Sequence, residues 1–158
     1  MRSINVYKEI VFSNLIKISL NGCKDDIIPE VKSFYSCLKE KGIDTYPQIA
    51  TNKMVKSVND VSVEESEIYV VSSEDGLKKV EGLYKTYEEL MWENVVMLEY
   101  NGVLLEFQNA VKELKQYIEK NNMKTISGFY TYIPHEIKGS DIFSRKIDMN
   151  CFVKIEQE

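Results

Sequence analysis

Three carboxylates and a set of aromatics fall at alternating positions in strand-like runs, a pattern suited to holding a cation. Glu67 and Tyr69 alternate with Ile68 and Val70. Met97 and Glu99 alternate with Val96 and Leu98. Asp148, Asn150 and Phe152 alternate with Ile147, Met149, Cys151 and Val153, and Tyr130 and Tyr132 flank Thr131. Alternate residues of a strand share one face of its sheet. The second set would therefore line one face: Glu67, Tyr69, Met97, Glu99, Tyr130, Tyr132, Asp148, Asn150 and Phe152, with Lys17, Ser19 and Val71 on the same parity. An aromatic wall dotted with acids offers charge pairing and cation–π attraction to a small cationic or amphipathic ligand. The same face could equally lie under a loop or a protein partner, because apolar patches mark interfaces as well as pockets. If the face is occluded, Glu67, Glu99 and Asp148 are candidates for perturbed ionisation.

Covalent and metal chemistry have less to work with. The three cysteines, Cys23, Cys37 and Cys151, include no CxxC pair, and His135, beside Pro134, is the one histidine. That set does not make a zinc site, so neither metal nor cofactor is expected. There is no GxSxG, no Cys–His constellation and no phosphate-binding loop. A carboxylate with a tyrosine could do general acid–base work, but no residue is assigned a catalytic role. Cys23 follows Gly22 at the end of a strand, yet Val103 holds the matching place in the second half, which favours a structural part.

The elements that must position these residues come from an internal duplication. Residues 7–43 align with 87–123 at a constant offset of 80, without a gap. Tyr7/Tyr87, Glu9/Glu89, Asn14/Asn94, Asn21/Asn101, Gly22/Gly102, Val31/Val111 and Lys32/Lys112 are identical, and Phe12/Trp92, Ile16/Val96, Ile18/Leu98 and Ile43/Met123 keep the apolar pattern. Each copy opens with a period-two strand, around Ile16–Leu20 and Val96–Tyr100, closed by Asn-Gly turn chemistry. A helix follows, with Ile27, Val31, Phe34 and Leu38 in one copy and Phe107, Val111, Leu114 and Ile118 in the other forming a single apolar stripe. Asp25 or Asp26 can cap the first helix, with Pro29 inside its first turn. Gly42 and Asn122 suit left-handed stops. Two further strands finish each copy, near 46–53 and 67–72, then 128–133 and 146–155. Residues 55–65 and 135–145 read as hairpin loops, and 77–80 as a short extra turn.

Each copy is thus β-α-β-β and has too little core to stand alone. The expected fold is α+β: one domain over 1–158, built of repeats at about 4–75 and 84–156, with one antiparallel sheet, two helices on one face and a pseudo-twofold. The two copies agree on the core face and differ on the other, so a ligand site would be asymmetric and lie between the repeats. Net charge is −5 with mixed signs, which argues against nucleic acid as the main partner. No apolar run reaches membrane-spanning length and no secretory leader is evident, so a cytoplasmic, non-membrane protein is expected. The pattern does not specify an oligomeric state.

These features resemble the gyrase-inhibitor-like, or multidrug-regulator effector-binding, superfamily of tandem βαββ repeats. The resemblance rests on the glycines closing the first strands, Gly22 and Gly102, on Val-Lys-x-Phe/Leu-x-x-x-Leu/Ile in the helices, and on Glu-Ile-Tyr-Val-Val at 67–71. It implies a small-molecule site in the groove between the repeats, with hydrolases among the members. Val71 stands where the family often has proline, and 128–132, Gly-Phe-Tyr-Thr-Tyr, lacks the acid often found there. A helix-turn-helix segment is also missing. The run Tyr-Ile-Glu-Lys-Asn-Asn at 117–122 is similar to a Gram-positive bacterial family often encoded near type VII secretion toxins. That second resemblance implies an accessory or antitoxin-like role with a protein partner.

Overall fold

The computed structural model describes residues 2–59, 61–139, 143 and 145–157, with the side chains of Met54, Val55, Lys56 and Val58 also outside the description. The fold is α+β. Its elements are β1 (Arg2–Gly22), α1 (Lys24–Glu40), β2 (Gln48–Val58), β3 (Val61–Val71), α2 (Glu74–Lys79), β4 (Lys85–Val103), α3 (Leu104–Lys120), β5 (Tyr130–Ile133) and β6 (Lys146–Lys154). The ladders β1–β3, β2–β3, β4–β6 and β5–β6 are all antiparallel.

The chain gathers into two compact units that do not coincide with the linear repeats. The first unit is Met1–Val11 with Met91–Glu158, and the second is Phe12–Leu90. The long strands β1 and β4 are each divided between the units, a few residues before an asparagine with positive φ, Asn14 at 61° and Asn94 at 52°. Asparagine tolerates that left-handed conformation better than other residues with a Cβ.

In the second unit β3 lies between β1 and β2, and α1 packs on their Ile16 and Val70 face. Its core is Ile16, Phe34, Leu38, Ile43, Val70 and Val80. In the first unit β6 lies between β4 and β5, and α3 covers Val96, Leu98, Ile147, Met149, Cys151 and Val153 with Phe107, Ala110, Leu114 and Ile118. Both helices follow the expected stripe, with Val31 and Val111 at its half-buried margin. Burial pushes the Cys151 thiol up to about 12. Tyr100 packs edge-on to Phe107, and its hydroxyl donates to the Val103 carbonyl. A side chain at Gly102 would collide with that ring, since an added Cβ would sit 2.5 Å from the tyrosine oxygen.

Several elements differ from expectation. α1 begins earlier, with Cys23 at the N-cap, so Asp25 and Asp26 lie in the first turn, where they complement the helix dipole instead of capping it. Pro29 is then the sixth helical residue, past the first turn. Residues 55–65 are not a long loop. They continue β2 and β3 into an extended hairpin with a bulge between Met54 and Lys56 and a tight turn at Asn59. Of the other expected loop, 140–142 and 144 lie outside the described residues.

Candidate functional site

The first unit stacks most of the expected residues in rows across its strands, on the side away from α3. Met97 lies opposite Phe152, which lies opposite Tyr130. Glu99 lies opposite Asn150, which lies opposite Tyr132, and Asn101 lies opposite Asp148. The rows grade from apolar to acidic. Phe152 is fully buried and Met97 is 6% exposed, so their row is core rather than open surface. Tyr130 stacks on Phe152 with ring centroids 5.2 Å apart, and Trp92 meets both rings edge-on at 5.5 Å.

The next row is accessible, and its carboxylate is held in an unusual way. Glu99 accepts hydrogen bonds from the Tyr7 hydroxyl at 2.6 Å, the Ser3 hydroxyl at 3.3 Å and the Asn5 amide at 3.4 Å. All three donors come from one face of β1, at alternate positions, and all are neutral. Among the described residues no lysine or arginine lies within ion-pair distance of Glu99. The hydrogen bond to Glu99, with burial and the negative charge behind it, raises Tyr7 above its ordinary value of 10.0. Beside Glu99 is an open depression of about 460 Å3 lined by Ser3, Glu99, Tyr100, Asn101, Asp148 and Asn150. Asn101 donates to Asp148, whose carboxylate is exposed.

The second unit arranges the same kinds of group differently. Lys17 lies opposite Tyr69, and Tyr69 opposite Ile49. Ser19 lies opposite Glu67, and Glu67 opposite Thr51. Here the carboxylate is neutralised: Lys17 Nζ is 2.9 Å from Glu67 and 5.2 Å from the centre of the Tyr69 ring, and the Tyr69 hydroxyl donates to Glu67 at 2.9 Å. Tyr69 is buried, with Tyr87 at 6.3 Å. The Thr51 hydroxyl is buried without a hydrogen-bond partner among the described residues. An unsatisfied buried hydroxyl costs about 1–3 kcal/mol.

The ladders also correct the pairing between repeats. Counting from the first strand of each unit, Tyr69 matches Phe152 and Glu67 matches Asn150. That is an offset of 83 rather than the 80 that holds over 7–43 and 87–123, because the hairpins before these strands differ in length.

Ser3, Asn5, Tyr7, Trp92 and Thr51 were not anticipated. A signal for four of them was present: Tyr7 falls within the aligned repeat, Trp92 is the counterpart of Phe12, and Ser3 and Asn5 alternate with the apolar Ile4 and Val6, the period-two pattern of a strand.

No protein-family model matches the sequence, and no curated protein matches it. Solved structures do share its fold. The C-terminal domain of EcmrR superposes with a TM-score of 0.57 at 10% identity, covering 100% of this chain and 98% of that one. EcmrR seen in a complex with DNA gives 0.57 at 11% identity, covering 100% of this chain and 58% of that longer one. A hydrolase from Listeria innocua gives 0.50 at 12% identity, covering 98% and 91%. At such identities the likeness establishes a common fold.

Proposed function

We propose that this chain is a non-catalytic binding module whose first unit takes a small cationic or amphipathic molecule at the Glu99 face. One observation carries the reading. Glu99 is held in place by three neutral donors, lacks a cationic partner among the described residues, and opens onto a depression that also carries Asp148 and Asn150. A carboxylate positioned by neutral groups keeps its charge available to a ligand. Tyr132, in the Glu99 row, supplies an aromatic surface for the ligand's apolar part. The fold is shared both with the C-terminal domain of EcmrR, a protein seen in complex with DNA, and with a hydrolase, so the site, not the fold, has to decide.

Binding of benzyltrimethylammonium and dodecyltrimethylammonium, followed by calorimetry and thermal shift, tests this. Both should raise the melting temperature. Glu99→Gln should weaken affinity about tenfold, equivalent to about 1.4 kcal/mol, and Asp148→Asn should weaken it less. Absence of binding, or binding indifferent to both substitutions, refutes the assignment.

A further inference from the structure

At the carboxyl end of the long helix, the two units build the same frame from the same hydrogen bonds. The Asn14 carbonyl accepts from Ser72 N at 2.8 Å, and the Asn94 carbonyl from Ile155 N at 2.8 Å. Ile43 N donates to Leu38 O at 2.9 Å, and Met123 N to Ile118 O at 3.0 Å. Gly42 and Asn122 make the left-handed stops, with φ of 71° and 53°.

The filling of the frame differs. In the second unit residues 73–84 enter it: α2 and its following turn place Val80, fully buried, in one cluster with Phe34, Leu38, Ile43 and Val70, and Leu77 and Tyr84 pack alongside. In the first unit the corresponding frame encloses an open groove of about 470 Å3, lined among others by Val6, Lys8, Asn94, Met123, Lys124 and Ile155. Its floor is apolar and uncovered. Met123 and Ile155 are half-buried where Ile43 is buried, and Val6 is 52% exposed.

We propose that this groove docks a short amphipathic helix of a partner protein, shaped like residues 73–84 but of opposite charge at two positions. The shape comes from the chain's own example: a Leu-x-x-Val pair, as in Leu77 and Val80, fills the matching frame. The charge comes from the rims. In the second unit Glu88 lines a depression with Lys78, and Asp44 lines one with Lys79, which also pairs with Asp75 of its own helix at 3.3 Å. Their counterparts in the first unit are Lys8 and Lys124, and Lys124 lies 3.9 Å from Glu156, an acid that also lines the groove. The partner helix therefore carries acids where α2 has Lys78 and Lys79. The same reversal disfavours α2 of a second copy. The groove shares none of the residues lining the Glu99 depression, though it borders Tyr7, which donates to Glu99, so the test uses substitutions away from Tyr7.

A direct test appends a copy of residues 73–84 to the whole chain after Glu158 through a flexible linker, since Gln157 already borders the groove and tethering gives a millimolar effective concentration. With Lys78→Glu and Lys79→Glu made in the appended copy, the melting temperature should rise by about 3 °C and the Met123 methyl resonance should shift. With the lysines kept, both effects should shrink. Val80→Asp in the appended copy, which leaves the chain itself untouched, should abolish both, and Met123→Arg should abolish the rise in melting temperature. No rise, or a rise that survives either substitution, overturns the proposal. So does concentration-dependent dimerisation of the unextended chain that Met123→Arg abolishes, because that assigns the groove to a second copy.

Discussion

The two units place one carboxylate each on matching rows of the face away from their helix, yet treat its charge in opposite ways. In the second unit the acid is Glu67, on the last strand, and Lys17 neutralises it from the neighbouring strand. In the first unit the row before it holds Met97 and Phe152 in place of Lys17 and Tyr69, and the acid has moved across to Glu99, on the first strand of the unit. Replacing a lysine by methionine removes the internal counterion, and three neutral donors from β1 hold the acid instead. One unit thus has a self-contained ion pair, which serves structure. The other has a positioned anion beside an open depression, which can serve binding. The two units differ in who carries the counter-charge.

The largest expected effect breaks the apolar row that replaced Lys17 and Tyr69. Phe152 is fully buried against Tyr130 and Trp92. Phe152→Ala should destabilise the protein by about 3–5 kcal/mol, measured by urea denaturation with Trp92, the single tryptophan, as the reporter. A loss under about 1 kcal/mol would mean that the row is not core and that the two units differ less than described.

A smaller effect sharpens the comparison from the other side. Lys17→Met gives the second unit the residue of the first and leaves Glu67 with the Tyr69 hydroxyl but without its cation. The side chains of the pair are 16% and 33% exposed, between the surface and buried limits, so the cost should be about 1–2 kcal/mol. Urea denaturation measures it, and an unchanged stability would show that the pair does not hold the second unit together.

How much of this was legible follows from which interactions are local. The helices were, because their apolar stripes repeat every three to four residues and both copies carry them at the same spacing. The start of α1 was misread because Asp25 and Asp26 look like caps, while the backbone reaches the helix two or three residues sooner. The face assignment of Glu99, Asn150 and Phe152 needs only parity and was available. Their partners were not, since register across a sheet depends on hairpin length, and the hairpins differ between units. Likewise, Ser3, Asn5 and Tyr7 meet Glu99 from more than ninety residues away, and no local pattern reports such a contact. The long β2–β3 hairpin was hidden because residues 55–65 alternate too irregularly, with polar side chains at both parities, to announce a strand.

The smallest effect tests the first unit's anion directly. Glu99→Gln keeps an acceptor for the Tyr7 hydroxyl, so stability near neutral pH should change by no more than about 1 kcal/mol. What should move is the ionisation of Tyr7, raised above 10.0 chiefly by its hydrogen bond to Glu99. A tyrosine whose folded-state pKa lies above its unfolded value binds its proton more tightly when folded. Its contribution to stability is therefore present in full below pH 10 and is lost as pH rises through the folded-state value. In the Glu99→Gln protein the Tyr7 resonance, followed with ring-labelled tyrosine, should titrate closer to 10.0, and that alkaline loss of stability should diminish. Lys17→Met should leave Tyr7 unmoved, since Lys17 belongs to the other unit's ion pair. If instead Tyr7 titrates identically with glutamine at position 99, the hydroxyl does not hold the carboxylate, and the distinction between a neutralised acid and a positioned one fails.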